Sequence, residues 1–371
     1  MSDRLHIATR KGLFTFTRAA SGQWKVAHTN FLGARCCLVM RDPRDGSVYA
    51  ALEHGHFGGK LHRSTDDGAT FTEIAVPAYP AKPENYKPKH APVEGNPAPW
   101  SLKMIWALTP GGADQPGTIW CGTIPGGLFR SDDHGKTWEI NKPLWEHDDR
   151  ERWFGGGADW PGIHSVCVDP RDSNHVSLAV SCAGCWHTHD GGKSWNLSAK
   201  GMRAEFMPPE KAHEEMIQDP HIMVACPSKP DEMWVQHHNG IFRSLDHGLT
   251  WTEITDVQPS NFGFAVAVHP TEPDTAWFVP GVKDEARYAP DGKVVVTRTR
   301  DGGKSFDQLR NGLPQEHAYD IVFRHSLDID GSGNRLAFGS TTGNVWLTEN
   351  QGDSWTTLST TLPPVYAVRF G

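Results

Sequence analysis

Apolar positions along the chain fall in short runs cut by turns rich in Gly, Pro, Asp and Asn, and long apolar runs with helical spacing are missing. Gly 38 and Pro 27 supply the punctuation, so the pattern predicts many short strands joined by tight turns. The runs also recur in order. An apolar strand closes on a proline at Pro43, Pro110, Pro170, Pro227 and Pro270. A later strand ends in Gly127-Leu128-Phe129-Arg130, Gly240-Ile241-Phe242-Arg243 or a near variant, and a polar turn with an aromatic end follows.

That turn reads Ser/Thr-x-Asp-x-Gly-x-Ser/Thr-Trp/Phe. It appears as Ser64 to Phe71, Ser131 to Trp138, Thr188 to Trp195, Ser244 to Trp251 and Thr299 to Phe306. A last copy, Thr348 to Trp355, carries Asn350 where the others have Asp. Successive central residues are 67, 57, 56, 55 and 49 positions apart. The chemistry fits a hairpin turn: the Asp or Asn side chain accepts backbone N–H groups, and Gly supplies positive φ. The 15 tryptophans are expected mostly at a fixed place in this repeat. Four of the prolines precede their box Asp by 23, 23, 20 and 19 residues, while the fifth gap, 31, contains an insertion at 281–293.

Each unit therefore holds four antiparallel strands, and 371 residues divided by seven gives about 53 per unit, a propeller-like period. Six boxes leave one unit without a box. Its second and third strands match Leu5 to Phe16, its fourth matches Gln23 to Val26, and its first lies at the other end of the chain, Val365 to Phe370. The prediction is an all-β, single-domain, seven-bladed β-propeller over residues 1–371, closed by a blade shared between the termini. The six boxes resemble the Asp-box (BNR) repeats of sialidases, xyloglucan-degrading hydrolases, sortilin-type receptors and photosystem II stability/assembly factors. In those families the boxes sit at outer turns away from the ligand face, which implies a structural role for every box Asp.

In a four-stranded blade the boxes share the bottom face with the first-to-second turns. The long segments 75–100, 141–163 and 198–220, as interblade links, and 281–293, as a second-to-third turn, then fall together on the top face, which is where a pocket is expected. Glu53-His54-Gly55-His56 lies there in blade two, and Asp159-Trp160 follows a glycine run before blade four. Arg35, His164, His221 and Tyr319 are expected to open inner strands and to converge on the channel. Glu53, His54, Asp159 and Tyr319 are the catalytic candidates; Arg35, His56, Trp100 and Trp160 are the ligand-binding ones. Trp106, Trp145 and Trp153 also stand in or beside the long loops, as platforms for flat ligands or as packing over blade edges.

Three functional readings stay open. A glycosidase needs two carboxylates across a cleft, and Glu53, Asp148, Asp149, Asp159, Glu214 and Asp219 lie on the expected face without a spacing that pairs any two. Resemblance to sialidases implies three arginines, a Tyr-Glu pair and a Phe-Arg-Ile-Pro motif. Here only Ala34-Arg35-Cys36-Cys37-Leu38 echoes that motif, and Tyr319 has no matching Glu. The second reading is a non-catalytic binding or assembly propeller. The third is a metal-dependent enzyme in which His164, His221 and His237 or His238, with a carboxylate, bind a divalent ion such as Zn²⁺ or Fe²⁺.

Composition narrows partners more than chemistry. A formal charge of −8 without a basic stretch argues against a nucleic-acid surface, and no apolar run is long enough to span a bilayer as a helix. The expected partner is a small molecule or carbohydrate. Seven cysteines, an odd number including Cys36-Cys37, fit free thiols in a cytoplasmic setting, and Cys182-Ala183-Gly184-Cys185 lacks the second pair of a zinc site. If the blade is shared, deleting residues 365–371 exposes two strand edges and costs on the order of several kcal/mol. Thermal melting of the truncated chain checks this; an unchanged midpoint would contradict it.

Overall fold

The computed structural model describes residues 1–87, 99–156 and 158–371. Within them the strands form seven four-stranded antiparallel sheets, the blades of a β-propeller. The innermost strands are Val365–Phe370, Arg35–Arg41, Met104–Pro110, Ile163–Asp169, Pro220–Cys226, Gly263–Val268 and Leu327–Ile329. Each touches the inner strands of the two flanking blades, and the series returns to its start. Among the described residues a single short α-helix, Lys142–Trp145, interrupts the β pattern, and no helix is long and apolar enough to cross a membrane.

Blade one has the predicted composite order: Val365–Phe370 pairs with Arg4–Thr9, which pairs with Gly12–Arg18, which pairs with Trp24–Asn30. Leu5 stands opposite Phe370 and Ile7 opposite Val368, and all four side chains are buried. The ladder closes the ring and pairs the two terminal strands with each other.

All six boxes have one geometry. In blade two, Asp66 Oδ1 accepts from Thr70 N at 2.9 Å and Ser64 Oγ at 2.7 Å, while Oδ2 accepts from Thr70 Oγ1 at 2.6 Å. Ser64 Oγ in turn accepts from Gly68 N at 2.8 Å. Asn350 keeps the arrangement: its Oδ1 accepts from Ser354 N at 3.0 Å and its Nδ2 donates to Ser354 Oγ at 2.9 Å. An amide works here because only the hydroxyl bond reverses direction. The turn needs two successive left-handed residues, as at His247 (φ 61°) and Gly248 (φ 82°), which explains the invariable Gly at the second place.

The tryptophan expectation is corrected. Only Trp138, Trp195, Trp251 and Trp355 occupy box positions. Trp120, Trp186, Trp234, Trp277 and Trp346, the largest fully buried side chains, lie instead in second and third strands. Box tryptophans brace neighbouring blades: Trp138 Nε1 donates to Ala75 O at 3.0 Å, and Trp251 Nε1 to Ser198 O at 2.9 Å. Interblade links occupy the predicted places, although residues 88–98 of the first lie outside the described residues.

Burial pushes the Asp133 carboxyl up, but hydrogen bonds from Thr137 and Ser131 more than offset this and hold it down at about 2. Bonds from Ser305 hold Asp301 at about 2 as well. The unfolded chain therefore takes up protons at higher pH than the folded boxes. Their contribution is complete above about pH 4 and is lost as pH falls towards about 2. Asp133→Ala or Asp246→Ala is expected to lower stability by about 1–3 kcal/mol near neutral pH. Denaturant unfolding at about pH 7 and about pH 3 checks that this deficit shrinks in acid.

Candidate functional site

The inner strands share a defect that the sequence did not advertise. Near its top end each of six strands slips register against its partner, leaving unpaired Cys37, Trp106, His164, His221, Phe264 with Ala265, and Tyr366. A bulge re-aims the side chain of its extra residue. Repeated around the ring, it brings Cys37, Trp106, Phe264 and Tyr366 to the wall of one cavity of about 440 Å³.

Charged groups join them there. Arg35 and Glu53, opposite each other on adjacent strands, form an ion pair at 3.1 Å, and the Arg35 guanidinium lies 4.7 Å from the Tyr366 ring centre. Asp159, Trp160 and Lys103 arrive on the interblade links, with Lys103 Nζ 5.5 Å from the Trp160 ring centre. Arg324 precedes the inner strand of blade seven. It is only 9% exposed, stacks 4.8 Å from Trp106 and 5.3 Å from Phe264, and lines the same cavity. Its Nε and Nη2 find no hydrogen-bond partner among the described residues. Burial pushes its guanidinium down to about 10, still cationic near neutral pH. Arg35, Lys103, Arg287 and Arg324 outnumber Glu53 and Asp159 in the lining, which favours an anionic occupant.

Behind Phe264 lies a second polar group. His221 stacks on Phe264 with ring centres 4.5 Å apart, and its Nε2 is 3.7 Å from Asp219 Oδ2. His238 Nδ1 approaches the same oxygen at 3.3 Å. Asp219 and His221 are each 2% exposed. Burial opposes the Asp219 charge, but the imidazoles of His221 and His238 beside it keep its carboxyl well below the usual range. Burial holds the His221 imidazole down, while the carboxylate overcomes burial at His238 and raises it.

Of the sequence candidates, the structure brings Arg35, Glu53, Asp159 and Trp160 into the cavity. It places others elsewhere. His54 and His56 sit on the short helical turn around Gly55–Phe57, outside the cavity lining. Trp100 packs edge-on against Tyr86 and Trp145, at 5.0 and 5.3 Å, so it serves loop packing. Tyr319 does not open an inner strand: that strand begins at Leu327, and Tyr319 stands 62% exposed in a separate depression beside Tyr288. His164 is buried with Nδ1 2.9 Å from Ser165 Oγ and is absent from the His–Asp group. His237 is replaced in that group by His238, because His237 Nε2 already accepts from the Asp219 N–H at 3.0 Å.

Sequence reasoning missed Arg324, Phe264 and Tyr366, and it named Trp106 only as a loop platform. Tyr366 was accessible, since it stands second in the first strand of blade one; Phe264 depends on a bulge that single-sequence periodicity does not reveal, and Arg324 lies in the irregular run before Leu327. Cys182 and Cys185 are buried thiols, and burial pushes the Cys185 thiol up.

Comparisons with known proteins agree with this architecture. The BNR/Asp-box repeat family matches residues 129–139, around the box Asp133. A xyloglucanase of Paenibacillus sp is 24% identical over 278 residues, covering 65% of this chain and 24% of its own length. A Neosartorya fischeri relative that also carries xyloglucanase in its name is 24% identical over 345 residues, covering 83% of this chain and 37% of its own. The chain thus spans well under half the length of these curated relatives. Among solved structures, an ancestral GH74 enzyme has a TM-score of 0.60 at 15% identity over 87% of this chain and 38% of that one. The periplasmic gluconolactonase PpgL of Pseudomonas aeruginosa has 0.58 at 10% over 99% and 98%. YCF48 bound to a D1 peptide has 0.51 at 15% over 94% and 87%. At such identities structural likeness speaks for the fold. With six boxes of one geometry in seven four-stranded blades, the chain is a β-propeller of the BNR/Asp-box type.

Proposed function

We propose that this propeller binds a small sugar acid in the cavity at the top of its channel, with Glu53 and Asp159 available for proton transfer in a hydrolysis or elimination. The observation that carries the reading is Arg324. A buried guanidinium with unpaired N–H groups is costly, and a carboxylate in the cavity would satisfy it with charge-assisted bonds. Trp106, Trp160 and Tyr366 offer flat faces for a sugar ring. Relatives named xyloglucanase and a gluconolactonase of similar fold support a sugar-related ligand. A peptide-binding scaffold is the competing reading, favoured by the likeness to peptide-bound YCF48; a cavity of about 440 Å³ is closer to the size of a small-molecule site.

Hexuronic acids, the corresponding neutral hexoses and simple carboxylates can be compared by thermal shift and calorimetry. The sugar acid is expected to stabilise the protein by about 2.7 kcal/mol at a hundredfold excess over its Kd, and the neutral hexose is not. Arg324→Met is expected to leave the ligand-free melting point unchanged or higher while abolishing the shift, since it removes an unpaired buried charge. A variant that melts lower yet still responds to the acid would make Arg324 a structural residue and overturn the reading.

A further inference from the structure

Among the described residues, two groups of ligating side chains stand outside the central cavity, one on each face. At the bottom, Asp169, His175 and His247 offer atoms within 4.8 Å of one another. There, however, Arg171 already occupies the carboxylate, with Nη2 2.7 Å from Asp169 Oδ2 and Nε 3.0 Å from Oδ1, and continues to Asp231 at 2.6 Å. A guanidinium in that position fills the role of a cation. Among the described residues the top-face group, Asp219, His221 and His238, has no guanidinium or ammonium at hydrogen-bonding distance.

We propose that Asp219, His221 and His238 form a binding site for a divalent transition-metal ion on the top face between blades five and six. The tautomer of His221 is the first reason. Its Nδ1 lies 2.6 Å from the carbonyl oxygen of Gly263, a contact that requires the proton on Nδ1. The Nε2 lone pair then faces Asp219 Oδ2 across 3.7 Å. Two electron-rich atoms facing each other in a buried place repel unless a cation lies between them. An imidazole held by an Nδ1–H bond to a backbone carbonyl, with Nε2 turned to a carboxylate, is the usual posture of a metal ligand.

Distances give the second reason. For ligands about 2.0–2.2 Å from an ion, donor atoms stand roughly 3.0–3.5 Å apart. The observed 3.3 Å falls within that range and 3.7 Å lies just above it, with all three donor atoms inside 4.8 Å. The third reason is the state of the carboxylate. Asp219 is 2% exposed, and among the described residues its other oxygen accepts long bonds, from Ser181 Oγ and Cys182 N at 3.4 Å each. The glycine loop is pressed against it: a Cβ on Gly156 would stand 2.8 Å from Asp219 Oδ2.

Two nitrogens and one carboxylate oxygen suit Zn²⁺, Fe²⁺, Co²⁺ or Mn²⁺ rather than Ca²⁺, and leave positions open for water or a ligand. The open side faces the top, where His238 Nε2 stands 3.9 Å from Asp284 Oδ2 and its ring 5.1 Å from the exposed Phe206. Asp219 and Phe206 belong to the 198–220 link and Asp284 to the 281–293 insertion, so two of the long insertions converge on this site.

The full chain, stripped with a chelator, can be titrated with Co²⁺ followed by visible absorption and with Zn²⁺ followed by calorimetry. One equivalent is expected, with the visible bands of imidazole-ligated Co²⁺. His238→Ala removes a half-exposed turn residue and is expected to weaken binding about 100-fold or more while leaving the metal-free melting curve in place. Asp219→Asn is expected to do the same, and if it fails to fold, His238→Ala decides. His247→Ala and Arg324→Met are expected to retain full uptake, which separates this site from the bottom cluster and from the sugar-acid reading. Absence of stoichiometric uptake of both Co²⁺ and Zn²⁺, or uptake that survives His238→Ala, overturns the proposal.

Discussion

Everything on the top face depends on the ring being closed. Seven sheets can crowd their inner strands around one axis only if the last sheet meets the first, and here a single ladder between Arg4–Thr9 and Val365–Phe370 makes that meeting. Backbone pairing supplies direction, and the buried row Leu5, Ile7, Val368 and Phe370 supplies apolar contact. Opening this ladder would free two strand edges and release the angular spacing of every blade. Channel residues that now face each other across the axis would then separate.

Closure also sets a problem at the top of the channel. Inner strands converge there, so polar side chains are desolvated whether or not a ligand needs them. The repeated bulge turns this to use, because it breaks pairing at the same level in strand after strand and directs Cys37, Trp106, His164, His221, Phe264 and Tyr366 away from the sheet plane. Phe264 then serves both neighbours, as a wall to the cavity holding Arg324 and as the stacking partner of His221. One apolar ring thus separates a cation-rich chamber from a buried carboxylate with two imidazoles.

The two faces divide their work by turn length. Bottom turns are short and locally self-satisfying, each with its box carboxylate or amide saturated by its own hydroxyls and amides. They contribute rigidity, and side chains such as Arg171, which reaches Asp231 of the next blade, tie them together. Top segments are long, and their polar groups meet over wider sequence spans, as Arg35 meets Glu53 and His238 meets Asp219. Rigid short turns beneath long crossing segments make a fixed frame with a variable upper surface.

The sequence by itself determined the blade number, the shared blade, the box geometry and the face on which the long segments lie. Those features rest on turn chemistry acting over a few residues and on a period that repeats along the chain, so they are written locally. It also put Arg35, Glu53, Asp159 and Trp160 on the surface where the structure has one cavity that they line. Only the tertiary structure decided which polar groups meet. Arg324 and Trp106 are 218 positions apart, yet their side chains stack. His237 and His238 are adjacent, yet one is bound by a backbone amide and the other reaches the carboxylate. Tyr319 was misplaced because the run before Leu327 is irregular rather than strand. Arg324, Tyr319 and His238 lie outside the strands, so packing against distant segments places them; for strand residues such as Trp106 the deciding quantity is register, set by the one-residue bulge. A slip of one residue reverses the face, and nothing in the local pattern of apolar and polar positions marks where that slip occurs.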